Sequence, residues 1–447
     1  MDFLADLPLI GPTLAIVAPF IAVLSIVVFV HEYGHYIVGR WCGIGAETFS
    51  IGFGRELFGW TDRRGTRWRV AALPLGGYVK FAGDADAAST MRDDSDLSPE
   101  ARARSFHHAG VGRRALTVAA GPMANFLLSI AIFAAVAMMQ GRAVDAPVIG
   151  AIGQDLNPEF AEALAPGDRV VAVDGARVDD FAGLQQALLA TEGARVPVTV
   201  EDANGRRSVD VAFRPAARVD AVVAGSAAAA AGLRPGDVIV AIDGAPIDGF
   251  SDLQRRTRAS GGAAMAFGVR RDGETIEMSV TPEMTEVADP LTGETVARPI
   301  LGVQKQATEI APMVERSGPI DAVTVGIART WNIVDLSLRG IADVIAGRQD
   351  AREVLGGPIR IAEVSGQAAG QGFGTFVGLI AVLSTSIGLI NLFPIPVLDG
   401  GHLMFYAIEK LRGRPLRDRW MEIGNGIGLG LVLLLMAFAT FNDLARL

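Results

Sequence analysis

His31-Glu32-Tyr33-Gly34-His35 sets two imidazoles four residues apart, with a carboxylate beside the first. On a helix, four residues are just over one turn, so both rings share a face and can hold one cation. Neutral imidazole nitrogen suits Zn2+. Glu32 projects from the adjacent position and can take a proton from a water at the metal. The bare pattern recurs by chance in soluble helices. Here it continues the apolar run Leu14–Val30, where one ionisable group costs about 2.5–3.5 kcal/mol on insertion scales. Such residues need a partner, and a metal is one.

A catalytic zinc takes a third protein ligand and keeps an open position. Three other histidines are present. His107 and His108 are adjacent in a polar stretch and are expected to be solvated. His402 is better placed, but Asp399 in Leu398-Asp399-Gly400 is favoured. It follows an apolar run through Asn391-Leu392-Phe393-Pro394-Ile395-Pro396, whose prolines prevent regular helix. The plainer reading of Asp399 is a helix cap. The expected set is therefore His31, His35 and Asp399 around one Zn2+ per chain, with Glu32 as the base.

These residues need elements to carry them. Four apolar runs, Leu14–Val30, Ala115–Met139, Phe373–Phe393 and Ile423–Phe441, are each near the about 20 residues that cross a bilayer. Half of the 447 residues are hydrophobic and 20% are charged, against about 25% for a soluble domain. The net charge of −9 argues against a nucleic-acid partner. Cys42 is the single cysteine, which excludes an intrachain disulfide or multi-cysteine metal site; it is expected to be a buried small apolar residue. A cleaved signal peptide fits the first run poorly, because Asp2 and Asp6 precede it with no basic residue.

Basic residues set the expected orientation. Residues 40–114 hold twelve, Arg63, Arg64 and Arg92 among them, and the loop after the third run holds Lys410, Arg412, Arg414, Arg417 and Arg419; the C-terminal tail has only Arg446. This predicts both termini and residues of about 141–370 outside, and both basic loops in the cytoplasm. His31, His35 and Asp399 then lie at the same, inner depth.

The external segment contains a repeat. Pro166-Gly167-Asp168 to Asp174-Gly175 recurs as Pro235-Gly236-Asp237 to Asp243-Gly244, and the match runs on through Phe181, Leu184 and Gln185 to Phe250, Leu253 and Gln254. A unit of this length is a small domain. The pattern resembles PDZ domains, which bind extended peptides by strand addition; a spacer or size filter is the equal alternative. Ala224-Gly225-Ser226-Ala227 is the expected carboxylate cradle of the second copy, with Gln154-Asp155-Leu156-Asn157 a poorer one in the first. Beyond the repeats, Ile320, Val323, Ile327, Trp331, Val334, Leu338, Ile341 and Ile345 mark one apolar helical face. A helix lying at the outer membrane surface is slightly favoured over one packed on the external domain. Phe49–Gly54 and Arg67–Leu73 read as strands.

With these motifs in place, the chain resembles the site-2 protease family of intramembrane zinc metalloproteases, in its bacterial branch, the regulator of sigma-E proteases. Gly121-Pro122-Met123-Ala124-Asn125 and Pro74-Leu75-Gly76-Gly77-Tyr78-Val79-Lys80-Phe81 match as well. The resemblance implies a polytopic α-helical membrane protein with four transmembrane helices, a membrane-associated β-hairpin or sheet and two external α+β PDZ domains. It implies a first helix in 1–40 and a β region and loop over 41–111. A second helix follows at 112–140, then PDZ domains at 147–216 and 217–304 and an amphipathic helix at 318–347. A third helix at 372–400, a basic loop at 401–420 and a fourth helix at 421–442 complete the order. Asn391, with Pro394 and Pro396, is implied to hold substrate, a kink that merely opens the helix being the alternative. Gly121-Pro122 is expected to break the second helix, and Asn125 to hydrogen-bond across helices or to orient a ligand, with the structural role preferred. The implied substrates are transmembrane segments of an anti-sigma factor or of leftover signal peptides, in the bacterial inner membrane. The differing alternative is a membrane-anchored PDZ scaffold whose metal site is structural or inactive.

Overall fold

The computed structural model describes residues 11–83, 102–153, 156–191, 193–202, 205–223, 225–288, 295–305, 310–350, 356–414 and 418–445. Asp2, Asp6, Arg92, Gln154, Asp155, Ala224, Arg417 and Arg446 lie outside these residues. The chain forms two units, residues 1–140 with 316–447, and residues 141–315.

The first unit holds four helices long and apolar enough to cross a membrane. Helix α1 is Gly11–Trp41 and α2 is Val111–Gln140. Between them, strands β1 (Ala46–Thr61) and β2 (Arg67–Phe81) form a sheet. Helices α3 (Pro319–Ile345), α4 (Pro358–Gly370), α5 (Phe373–Asn391), α6 (Asp399–Arg412) and α7 (Asp418–Leu444) follow. The spanning candidates are α1, α2, α5 and α7. This is a polytopic α-helical membrane protein carrying small antiparallel sheets.

Helix α1 runs straight on past the apolar run, through His31 and His35 to Trp41. Small residues let α2 approach it: a Cβ at Gly34 would lie 2.7 Å from that of Ala124. Hydroxyls lock α5 to α2, as expected where no water competes. Ser129 donates to the Ala381 carbonyl at 2.7 Å, Ser384 to that of Asn125 at 2.9 Å, and Thr385 to the Ser129 hydroxyl at 2.8 Å. Pro122 does not break α2, which is helical throughout. A buried proline removes one donor, and neighbouring helices can re-satisfy the freed backbone.

The β1–β2 sheet doubles back on itself: Phe49 stands opposite both Val79 and Trp68, and Ser50 opposite both Tyr78 and Arg69. Phe49, Val79 and Phe81 bury themselves with Tyr36 of α1 and Val118 of α2, so the sheet is fastened beside the His31–His35 turn. Cys42 is half-buried against this cluster rather than fully buried.

Helix α3 packs on α2 through a face of small residues. Ala322 and Val325 meet Ala134 and Ala137, and a Cβ at Gly326 would lie 2.5 Å from the Ile130 carbonyl oxygen. The large apolar face predicted from the sequence is left outward, with Ile320, Ile327 and Trp331 exposed. Residues 399–412, read from the sequence as the turn and start of a basic loop, are helical. Arg114 ties this helix to α2, donating to Glu409 at 2.7 Å with its guanidinium 4.9 Å from the Tyr406 ring centre. At the C-terminal end of α7, the buried Asp443 carboxylate accepts from the backbone nitrogens of Gly357, Ile359 and Arg360, each at 3.0 Å, and so caps α4.

In the second unit the two repeats fold alike. Each Asp-Gly pair takes left-handed backbone at both positions, with φ of 48° and 75° at Asp174-Gly175 and 51° and 74° at Asp243-Gly244, which closes a tight hairpin. Each Gly-Asp carboxylate is buried on an arginine at 2.7 Å, Asp168 on Arg207 and Asp237 on Arg271. The first core gathers Leu184, Val198, Val200 and Ile310, and the second Ile239, Leu253, Phe267 and Val269. Ile310–Pro312 pairs with Ile149–Ile152, so a strand from beyond the second repeat completes the first. Ser226 accepts from the Ala229 backbone and is spent as a helix cap. A cavity of about 250 Å3 lies between Phe250–Arg258 and Arg298–Val303, and its Gly302 stands against Ser226.

Candidate active site

Helix α1 delivers His31 and His35 to one face, and both are buried. Their Nε2 atoms stand 3.1 Å apart. Asp399, the first residue of α6, brings Oδ2 to 3.1 Å from Nε2 of His31 and 3.4 Å from that of His35. Three donor atoms thus converge from two elements more than 350 residues apart in the chain.

The far sides of the rings are also held. Nδ1 of His35 lies 2.9 Å from the Thr117 carbonyl oxygen, which fixes Nδ1 as the donor and turns the Nε2 lone pair inward. Nδ1 of His31 meets the Asn125 side chain at 3.3 Å through the atom placed as nitrogen, while Oδ1 of Asn125 is buried with no hydrogen-bond partner. Turning the amide over puts the Asn125 oxygen on Nδ1 of His31, where it can accept from the ring.

The set fits a zinc ion. Oδ2 of Asp399 is buried and has no hydrogen-bond donor. Two imidazoles and a carboxylate are zinc donors. Room is kept for it by Gly121 of α2: a Cβ there would overlap Nε2 of His35 and lie 2.9 Å from that of His31.

Glu32 lines the same cavity of about 310 Å3. Its carboxylate is hydrogen-bonded by the Val79 backbone. Strand β2 comes this close because residue 77 is glycine: a Cβ there would lie 3.2 Å from Cγ of Glu32 and 2.9 Å from Val28. Asn391, at the end of α5, also lines the cavity, as do Phe53 and His402. Pro394 and Pro396 do not; they shape the segment between α5 and α6. Val397 in that segment has φ of 85°. For a β-branched residue this is a strained conformation, costing about 1–3 kcal/mol. His107 is half-buried and His108 exposed, and neither joins the three among the described residues.

Thr117, Gly121 and Val397 were not singled out for this site from the sequence. The Gly121-Pro122-Met123-Ala124-Asn125 motif was the one available signal for Gly121, and it pointed to a helix break instead.

The sequence profile of Peptidase family M50 matches residues 19–435. The chain belongs to that family. This M50 protein is 41% identical over 428 residues to a candidate zinc metalloprotease of Rhizobium meliloti, covering 95% of each chain. It is 34% identical over 462 residues to the regulator of sigma-E protease RseP of Escherichia coli, covering 96% of this chain and 98% of that one. Identity to a regulator of sigma E protease of Salmonella typhi is also 34%, over 459 residues. The M50 chain is a zinc metalloprotease of the intramembrane type, and zinc is its metal.

Proposed function

We propose that His31, His35 and Asp399 hold the zinc, that Glu32 is the proton carrier, and that the bond cut lies in the transmembrane segment of a single-pass membrane protein. One observation carries this reading: Nε2 of His31, Nε2 of His35 and Oδ2 of Asp399 converge on the wall of a cavity that Glu32 and Asn391 also line. When bound, zinc supplies Lewis acidity, which acidifies water and polarises a carbonyl. Glu32 takes the proton from the attacking water and passes it to the leaving amine. Thr117 and Asn125 hold the imidazoles in the tautomer this needs.

A substrate helix hides each carbonyl in a backbone hydrogen bond, so it must be locally unwound. The Gly77–Val79 stretch of β2 lies beside Glu32 and presents strand backbone, suited to pairing with an extended segment. Asn391 can hold the unwound backbone by its amide, and Pro394 and Pro396 keep the segment after it from closing into helix.

The orientation proposed is both termini and residues 141–315 outside the bacterial inner membrane, with the cavity near the cytoplasmic side. The residues at 147–216 and 217–304 are read as PDZ domains that bind peptide ends or exclude substrates with bulky outer parts. Likeness to the sigma-E regulators supports an anti-sigma factor, already trimmed outside by another protease, as one substrate. Signal-peptide remnants are the other.

The test is cleavage of a reconstituted single-pass substrate in proteoliposomes. Cleavage is expected to stop on adding a zinc chelator and to return with zinc. Undiminished cleavage by metal-free protein would refute the reading.

A further inference from the structure

Helix α7 is largely exposed along its length. Where it does meet the rest of the fold at its inner end, it does so through glycine. A Cβ at Gly428 would run into the carbonyl oxygen of Pro396 and lie 3.0 Å from the Pro396 Cβ. A Cβ at Gly424 would lie 3.0 Å from the Phe405 ring and 3.7 Å from Cγ of Pro396. By contrast, Gly426 and Gly430, on the same helix, have nothing within 4 Å. The glycines of α7 are therefore not equivalent, and two of them mark a contact.

Pro396 is gripped from the other side as well. A Cβ at Gly401 of α6 would lie 2.6 Å from Cα of Pro396. One at Gly400 would run into the carbonyls of Leu392 and Phe393. The segment from 392 to 398 is thus pressed between α6 and α7, and it ends on Asp399. Val397, held at φ of 85°, shows that the segment does not sit in a relaxed conformation of its own. Something outside it must over-determine that shape.

We propose that Gly428 is a positioning residue for the metal-binding carboxylate. Its missing side chain lets α7 press on Pro396 and hold the segment so that Asp399 stays in reach of His31 and His35. The inference rests on the assignment of these three residues as zinc ligands. It goes beyond that assignment in giving the last helix a part in the metal site, which it does not touch.

The experiment uses the full-length protein in detergent or nanodiscs, loaded with zinc, and follows zinc release to a chelator in wild type, G428A, G424A and G430A. Thermal unfolding of each metal-free protein is recorded alongside. G428A is expected to release zinc at least tenfold faster than wild type. G424A should be intermediate, and G430A should match wild type, with metal-free midpoints alike. A merely structural contact would shift the metal-free midpoint and leave the order of release rates flat. Wild-type release by G428A, or equal acceleration in G430A, would overturn the proposal. Should G428A fail to accumulate, G424A decides: release at the wild-type rate overturns it, and faster release than G430A upholds it. A His31→Ala control separates the two readings. If wild type binds no zinc, or binds it equally without His31, the ligand assignment falls and this inference with it. If wild type needs His31 and G428A matches wild type, the inference alone falls.

Discussion

Gly121 stands against His35 so closely that a single methyl group at its Cα would overlap the ring nitrogen facing Asp399. Two transmembrane helices can approach this far only where one of them lacks a side chain. Gly121→Ala is expected to lower zinc affinity on the order of 100-fold or more while the helices still insert. Zinc stoichiometry after dialysis against a buffered chelator measures it. Retention of a full equivalent would show that the site has slack the geometry does not suggest.

Glu32→Gln removes the proposed proton carrier and leaves all three proposed ligands. The variant is expected to keep one zinc and to lose cleavage by at least about 100-fold. Metal analysis and cleavage of a single-pass substrate on the same preparation check both halves. Proteomics of membrane-retained peptides in cells carrying this variant would then name the substrates.

The amide of Asn125 bears on Nδ1 of His31. Asn125→Ala deprives the ring of its outer partner, and zinc affinity is expected to drop about 10–100-fold with helix packing intact. Competition with a chromogenic chelator gives the number. An unchanged affinity would reduce Asn125 to a packing residue.

Much of this site was legible before any coordinates. The four-residue step from His31 to His35 needs only a helix to bring two rings together, and the apolar run before it guaranteed one. Asp399 could be grouped with the histidines because the distribution of basic residues predicted a common depth for them, although it gave no distance. What was not legible is contact made by the absence of atoms. Gly77, Gly121 and Gly428 look alike in a sequence with 53 glycines, and only the fold shows which face a neighbour. The same blindness affected α3. Its large residues drew the predicted face, whereas Ala322, Val325 and Gly326 make the contact, because close backbone approach favours small side chains. Proline was over-read at Pro122, which α2 carries without a break.

Asp237 gives a prediction for acid. Burial pushes its carboxyl upward, but the Arg271 guanidinium and the Arg234 backbone nitrogen outweigh burial and hold it below the usual carboxylate range. A lowered folded value means the charged form stabilises the fold above the unfolded value, about 3.9. That contribution is lost as pH falls through the folded value. Asp237→Asn should therefore loosen residues 217–304 at pH 7 and differ progressively less from wild type below about pH 4. Hydrogen exchange of the full-length pair, compared at each pH, reads this. A difference that persists undiminished at low pH would contradict it.

The strand Ile310–Pro312 has a consequence for how the protein is made. It pairs with Ile149–Ile152 and seats Ile310 in the first repeat's core, yet it leaves the ribosome 97 residues after Phe213, the last of the neighbouring core residues (310 − 213). At about 5–20 residues per second, that is a wait of roughly 5–20 s. During it, the earlier repeat has an open edge and an unfilled core while the later one is still being synthesised. The two repeats therefore reach maturity together, and a chain cut short inside the later one leaves the earlier one unfinished, an exposed target for quality-control proteases.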